Sequence, residues 1–161
     1  MIKAMATFTL KIYESITLNG NDLGSYTNYT TDNVNNIDNR TLVCTTGSWT
    51  TLFQFDSSLY PTDRGTFSTS SFRYGRITNI SNVPVILNIQ TLNPGPGLPV
   101  QYNTVLTVTP GSSFVMSSTV GENYGTSTPS PTTFTSSQYV SSIQVAPSSS
   151  AASIEYYIAT T

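Results

Sequence analysis

The sequence contains no histidine, one cysteine (Cys44) and one tryptophan (Trp49). The lack of histidine removes His-based catalytic triads, His metal sites and the commonest general base. A lone cysteine cannot close an intrachain disulfide, so the fold does not rely on an oxidising compartment. Charge is also scarce: 9% of residues are charged, against about 25% in an ordinary soluble domain. The six basic residues, Lys3, Lys11, Arg40, Arg64, Arg73 and Arg76, are scattered through a chain of net charge −2. A nucleic-acid footprint needs them clustered, so nucleic acid is not an expected partner. No apolar run reaches the length of a signal peptide or a membrane span. The expectation is a protein made in the cytoplasm, not secreted and with no membrane partner.

Serine and threonine fill the space that charge leaves, at about three residues in ten. The 161 residues fit one domain, and a globule of that size buries about two-thirds of its unfolded surface without metal or disulfides. Period-two alternation dominates, and no segment has convincing helical periodicity. Phe8, Leu10 and Ile12 alternate with polar residues and read as a half-buried strand that runs to the hairpin signal Asn19-Gly20. Residues 25–31 can return beside it, and residues 32–39, rich in Asn and Asp, read as a loop. Strands follow at 40–45 and 49–55. Residues 59–65 look irregular, with Pro61 and Gly65. The strongest strand signals are 72–80 and 83–92, joined at Ser81-Asn82. Residues 93–99 form a Pro/Gly loop. Residues 100–109 and 113–118 read as a hairpin across Pro110-Gly111. Residues 121–137 read as a long exposed Ser/Thr/Pro-rich loop. The last strands are 139–145 and 153–160. This pattern predicts an all-β chain: a single β-sandwich over 1–161, jelly-roll-like or Ig-like, of about 8–10 short antiparallel strands.

Little in the chain carries chemistry. Catalysis by paired carboxylates would have to come from the eight acidic residues, and most of the aspartates lie in turn-like contexts. No catalytic residue and no cofactor is expected. Asp32, Asn33, Asn35, Asn36 and Asp38 offer oxygen ligands suited to Ca²⁺ but lack the spacing of an EF-hand loop, so a solvated turn is the better reading. Cys44, in an apolar run, reads as a small buried hydrophobe rather than a reactive thiol. Trp49, in an alternating run, reads as core rather than as a sugar-stacking platform. The tyrosines indicate a binding surface without naming its ligand. The candidate interaction residues are Tyr124, Phe134, Tyr139, Tyr156, Arg73 and Arg76.

Three segments resemble a known family. Phe72-Arg73-Tyr74-Gly75-Arg76-Ile77-Thr78-Asn79-Ile80, followed by Val83-Pro84-Val85-Ile86-Leu87-Asn88-Ile89, resembles a strand pair of small virion proteins from marine tailed phages. Pro110-Gly111-Ser112-Ser113-Phe114-Val115-Met116 resembles the turn that follows it. The ending from Ala152 to Thr161 resembles the terminal strand. The resemblance implies a virion structural protein without catalysis: a capsid decoration or cement protein bound in many copies to a phage head. Its partners would be the major capsid protein or other virion proteins, with self-association as a trimer favoured. The alternatives are a tail or fibre component that contacts a host receptor and a carbohydrate-binding β-sandwich module. Sparse charge protects few sheet edges, so other chains are expected to cover them.

Overall fold

A computed structural model describes residues 6–56, 65–93, 100–117 and 139–161. Their regular structure is entirely β-strand. The N-terminal ribbon pairs β1 (Ala6–Glu14) with β4 (Ser25–Val34), and the two-residue strands β2 (Thr17–Leu18) and β3 (Asn21–Asp22) lie between them in the chain. One sheet has the order β10 (Val100–Val108), β9 (Val85–Asn93), β12 (Tyr139–Pro147), β6 (Thr50–Asp56) and β7 (Thr66–Ser68). The other has the order β11 (Ser113–Ser117), β8 (Phe72–Asn79), β13 (Ala152–Thr160) and β5 (Asn36–Cys44). The chain is thus an all-β sandwich of two packed sheets.

Eight strands pair in a nested way. β5 pairs with β13, β6 with β12, β8 with β11 and β9 with β10, all antiparallel. Two further pairings, β13 with β8 and β12 with β9, close the two sheets. The chain-consecutive pairs β5/β6, β8/β9, β10/β11 and β12/β13 are each split between the sheets, so their connections arch over the core.

The core lies between the sheets because alternate residues of each strand face inward. Ile154, Tyr156 and Ile158 of β13 meet Phe53 and Ile143 from the opposite sheet in one buried cluster. Phe53 packs edge-on against Tyr156 at 5.6 Å, and Phe55 against Phe72 at 5.1 Å. Burying each large apolar side chain contributes about 1.5–3 kcal/mol. Cys44 sits in this cluster, fully buried, and burial pushes its thiol pKa up, partly offset by a hydrogen bond with Thr50.

The structure corrects several expectations. Residues 100–109 and 113–118 do not form a hairpin but are divided between the sheets, as are the two strands joined at Ser81-Asn82. The local reversal is as expected, with Ser112 N donating to Thr109 O at 3.1 Å and Gly111 at φ 74, a type II turn. A turn signal specifies reversal but not which sheet receives the returning strand. The stretch 32–39 is mostly strand, because β5 gains a full ladder against β13; the turn tendency survives only around Asn35 and at Asn33, whose φ is 64. The last strand, β13, lies inside its sheet between β8 and β5, and its single charged residue, Glu155, is paired with Arg76 of β8. Trp49 is 47% exposed rather than in the core. The loops expected at 94–99 and 121–137, and most of the irregular stretch 59–65, lie outside the described residues.

Candidate functional site

The N-terminal ribbon has a root and a free tip. At the turn, Asn19 and Gly20 both have positive φ, 52 and 80, as a type I′ hairpin requires. Phe8 and Leu10 share one face of β1 and pack, with Val34, on Tyr74, Tyr157 and Ala159 of the four-stranded sheet. Phe8 stands 4.7 Å from Tyr74 and 6.2 Å from Tyr157, ring centre to ring centre. Burial here raises the pKa of the Tyr74 hydroxyl, with Arg76 opposing the shift. Thr7 Oγ1 donates to Asp32 Oδ1 at 2.9 Å, which ties the two strands at the root.

Past Leu10 the cover ends. Ile12 is half-exposed, and Ile16, Leu18 and Leu23 are each 58% exposed. Tyr13 and Tyr26, directly opposite one another in the ladder, are exposed as well. The tip is nevertheless well shaped. Gly24 N donates to Asp22 Oδ1 at 2.8 Å, Ser25 Oγ donates to Glu14, and Leu23 N donates to Ile16 O at 2.8 Å. Gly24 lies so close to the other strand that a Cβ there would stand 2.1 Å from the Glu14 carbonyl oxygen. A two-stranded ribbon alone is marginally stable in water, so this set of exposed apolar side chains is the chain's clearest candidate contact surface. Sequence reasoning missed it, because alternation marks an apolar face without saying what covers it.

A second feature is a cleft of about 270 Å³ lined by Asn36, Ile37, Asp38, Arg40, Gly65, Thr66 and Phe67. Among the described residues Asp38 is its one lining carboxylate, and both of its oxygens are engaged. Arg40 Nε donates to Oδ1 at 2.8 Å, and the Tyr156 hydroxyl donates to Oδ2 at 3.2 Å. The hydrogen bond with Asp38 holds Arg40 still more firmly protonated. Burial, reinforced by the Asp38 charge, pushes Tyr156 up to about 12. A carboxylate shared between two donors is ill placed to abstract a proton, and glycosidic chemistry would need a second one opposite it.

The outer face of the five-stranded sheet carries a row of amides. Asn103 Oδ1 accepts from Gln90 Nε2 at 3.2 Å and from Asn88 Nδ2 at 3.3 Å. Asn88 Nδ2 also donates to Gln144 Oε1 at 3.2 Å.

Among the described residues, the expected interaction residues Tyr156, Arg73 and Arg76 serve different partners. Tyr124 and Phe134 lie outside the described residues. Tyr139 pairs through its backbone with Leu92. Tyr156 is a core residue rather than a surface one, 1% exposed, because it shares the inward face of β13 with Ile154 and Ile158. Arg76 Nη2 donates to Glu155 Oε1 at 2.7 Å across adjacent strands. Arg73 is the extra residue of a bulge, since Ala159 pairs with Tyr74 and Thr160 with Phe72. Its Nη1 donates to the carbonyls of Ser70 and Phe72. Asp32 and Asp38 serve different partners, so the acidic stretch does not converge on one point.

Comparison of the chain with protein-family models, with curated proteins and with solved structures finds no match.

Proposed function

We propose that the chain is a non-enzymatic virion structural protein that decorates a phage head, gripping neighbouring shell subunits with its N-terminal ribbon. The observation that carries this reading is the ribbon tip, where Ile16, Leu18 and Leu23 stand exposed on a hairpin rooted firmly in the body. Such a surface is stabilised when another protein covers it. The nested pairing of the eight strands supports it, since such an order suits a jelly roll, an architecture that serves in viral capsid proteins and also in lectins. Fold alone does not decide between such uses; the ribbon favours docking on protein. Low charge lets many copies crowd one surface without mutual repulsion. Binding would stabilise the assembled shell by mass action.

The test is co-sedimentation of the purified protein with particles stripped of it, together with its copy number in native particles. Decoration predicts hundreds of copies, and loss of binding when Ile16, Leu18 and Leu23 are replaced by serine. A handful of copies at one vertex would place the protein in a tail instead. Unchanged binding by the triple variant would remove the ribbon from the mechanism.

A second reading, carbohydrate binding, is favoured by the exposure of Trp49, whose ring is free to stack on a sugar. Since Trp49 is the sole tryptophan, a glycan on its ring would change the intrinsic tryptophan fluorescence. No change across a panel of surface glycans excludes this reading.

A further inference from the structure

The sandwich has four sheet edges, and three of them carry a device that discourages pairing. β7 has only three residues and β11 only five. β5 carries Asp38 and Arg40, which share the face of the core residues Leu42 and Cys44; inward-pointing charge is a known guard of sheet edges. β10 has none of these. Its nine residues, Val100-Gln101-Tyr102-Asn103-Thr104-Val105-Leu106-Thr107-Val108, include no charge, proline or glycine. They pair with β9 in unbroken register from one end to the other. Among the described residues nothing pairs with the far side of β10. A nine-residue strand rich in β-branched and amide residues thus presents backbone donors and acceptors that no described residue pairs with.

We infer that β10 pairs antiparallel with β10 of a second copy, joining two five-stranded sheets into one ten-stranded sheet about a two-fold axis. Self-complementarity is what commits the edge to a copy of itself. A two-fold contact places the same patch on both sides, and a strand without charge can face itself without setting like charges opposite one another. Asn103 is prepared for such a neighbour. Its Oδ1 is held by Asn88 and Gln90 from within the sheet, which leaves its Nδ2 hydrogens for an acceptor across the edge. The inference is independent of any role in a virion. It is an alternative to the expected trimer: a three-fold ring joined edge to edge would need two different edges to meet, and the other three edges are guarded.

The test is the molar mass of the full chain in solution, measured by light scattering from micromolar to millimolar concentration. Wild-type protein should reach twice the monomer mass. Val105→Lys and Asn103→Lys, which put a cation on the exposed face of the edge, should each return it to the monomer mass with an unchanged circular dichroism spectrum. The control Val43→Lys, on the exposed side of guarded β5, should remain dimeric. Hydrogen exchange should be slow along β10 in the dimer and faster in the lysine variants. A wild type that stays monomeric, whether or not its β10 amides are protected, overturns the inference. So does a trimer, or a dimer that survives both β10 lysines.

Discussion

The side-chain amide of Asn79 donates to the carbonyl oxygen of Val108 at 3.0 Å, joining the end of β8 in one sheet to the end of β10 in the other. The same nitrogen donates to Val83 O at 2.8 Å, and Asn79 Oδ1 accepts from the Ser81 amide and hydroxyl. Asn79 is fully buried, so these bonds stand in for water at the place where two arches cross from sheet to sheet. Asn79→Ala takes the side-chain partner from the Val108 carbonyl and from the Ser81 amide, while Val83 O keeps the Ser81 hydroxyl at 3.2 Å. The expected cost is about 3 kcal/mol, from roughly 1–3 kcal/mol per orphaned group with partial relaxation. For a chain of this size the melting temperature should drop by about 6–12 °C. Calorimetry that finds a drop of less than about 2 °C would show that water replaces the amide freely.

Tyr156 makes stability depend on alkaline pH. Its pKa in the folded chain is about 12, against 10.0 for the ordinary side chain. The raised value means that the unfolded chain releases this proton first. Its contribution is therefore intact below pH 10 and is lost as pH rises through about 12. Tyr74, also raised, acts in the same direction. Urea midpoints measured along this range should fall more steeply for wild type than for Tyr156→Phe, which keeps the ring against Phe53 and lacks the proton. Parallel curves for the two proteins would remove Tyr156 from the alkaline transition.

Much of the fold was legible in the sequence, and the parts that were not share a cause. The alternation of Ile154, Tyr156 and Ile158 gives the inward face of β13, and Tyr156 could have been placed inside on that pattern alone. Asn19-Gly20 and Pro110-Gly111 mark their turns correctly, since the glycine in each adopts a positive φ. Neither dipeptide states which strand the chain will pair with after it reverses. That depends on side chains distant in sequence: Asn79 reaching Val108, and Phe53 meeting Tyr156. The Asn-rich stretch was misread for the same reason, since its turn tendency is weaker than the ladder that β13 offers to β5.

The contact surface was less visible. Phe8, Leu10 and Ile12 form one alternating series, yet the first two are covered by Tyr74 and Tyr157 while Ile12 is not. The difference lies in where the four-stranded sheet ends, which no local pattern encodes.

Cys44 should be inert in the native state. It is fully buried, and burial raises its pKa, which lowers the thiolate fraction. Labelling with an aromatic disulfide reagent should be suppressed at least about a thousandfold relative to denatured protein, the scale set by the unfolded population. Rapid stoichiometric labelling under native conditions would mean that the β5 edge opens locally.

The ribbon predicts a separation between stability and binding. Phe8→Ala removes the ring that packs on Tyr74 and Tyr157, so it should cost about 1–3 kcal/mol and loosen the root. Leu18 and Leu23 touch no core, and their replacement by serine should change the stability of the isolated chain by no more than about 0.5 kcal/mol each. Gly24→Ala is the intermediate case. Its Cβ would collide with the Glu14 carbonyl oxygen, a backbone atom, so the tip must open while the sandwich core is untouched. Urea unfolding followed by far-ultraviolet circular dichroism ranks Phe8→Ala, Leu18→Ser and Leu23→Ser, and sedimentation with stripped particles ranks all four variants. The tip variants should keep the wild-type midpoint and lose binding, whereas Phe8→Ala should lower the midpoint. If Leu18→Ser or Leu23→Ser destabilises the isolated chain as much as Phe8→Ala, the tip is packed within its own molecule and is no free arm.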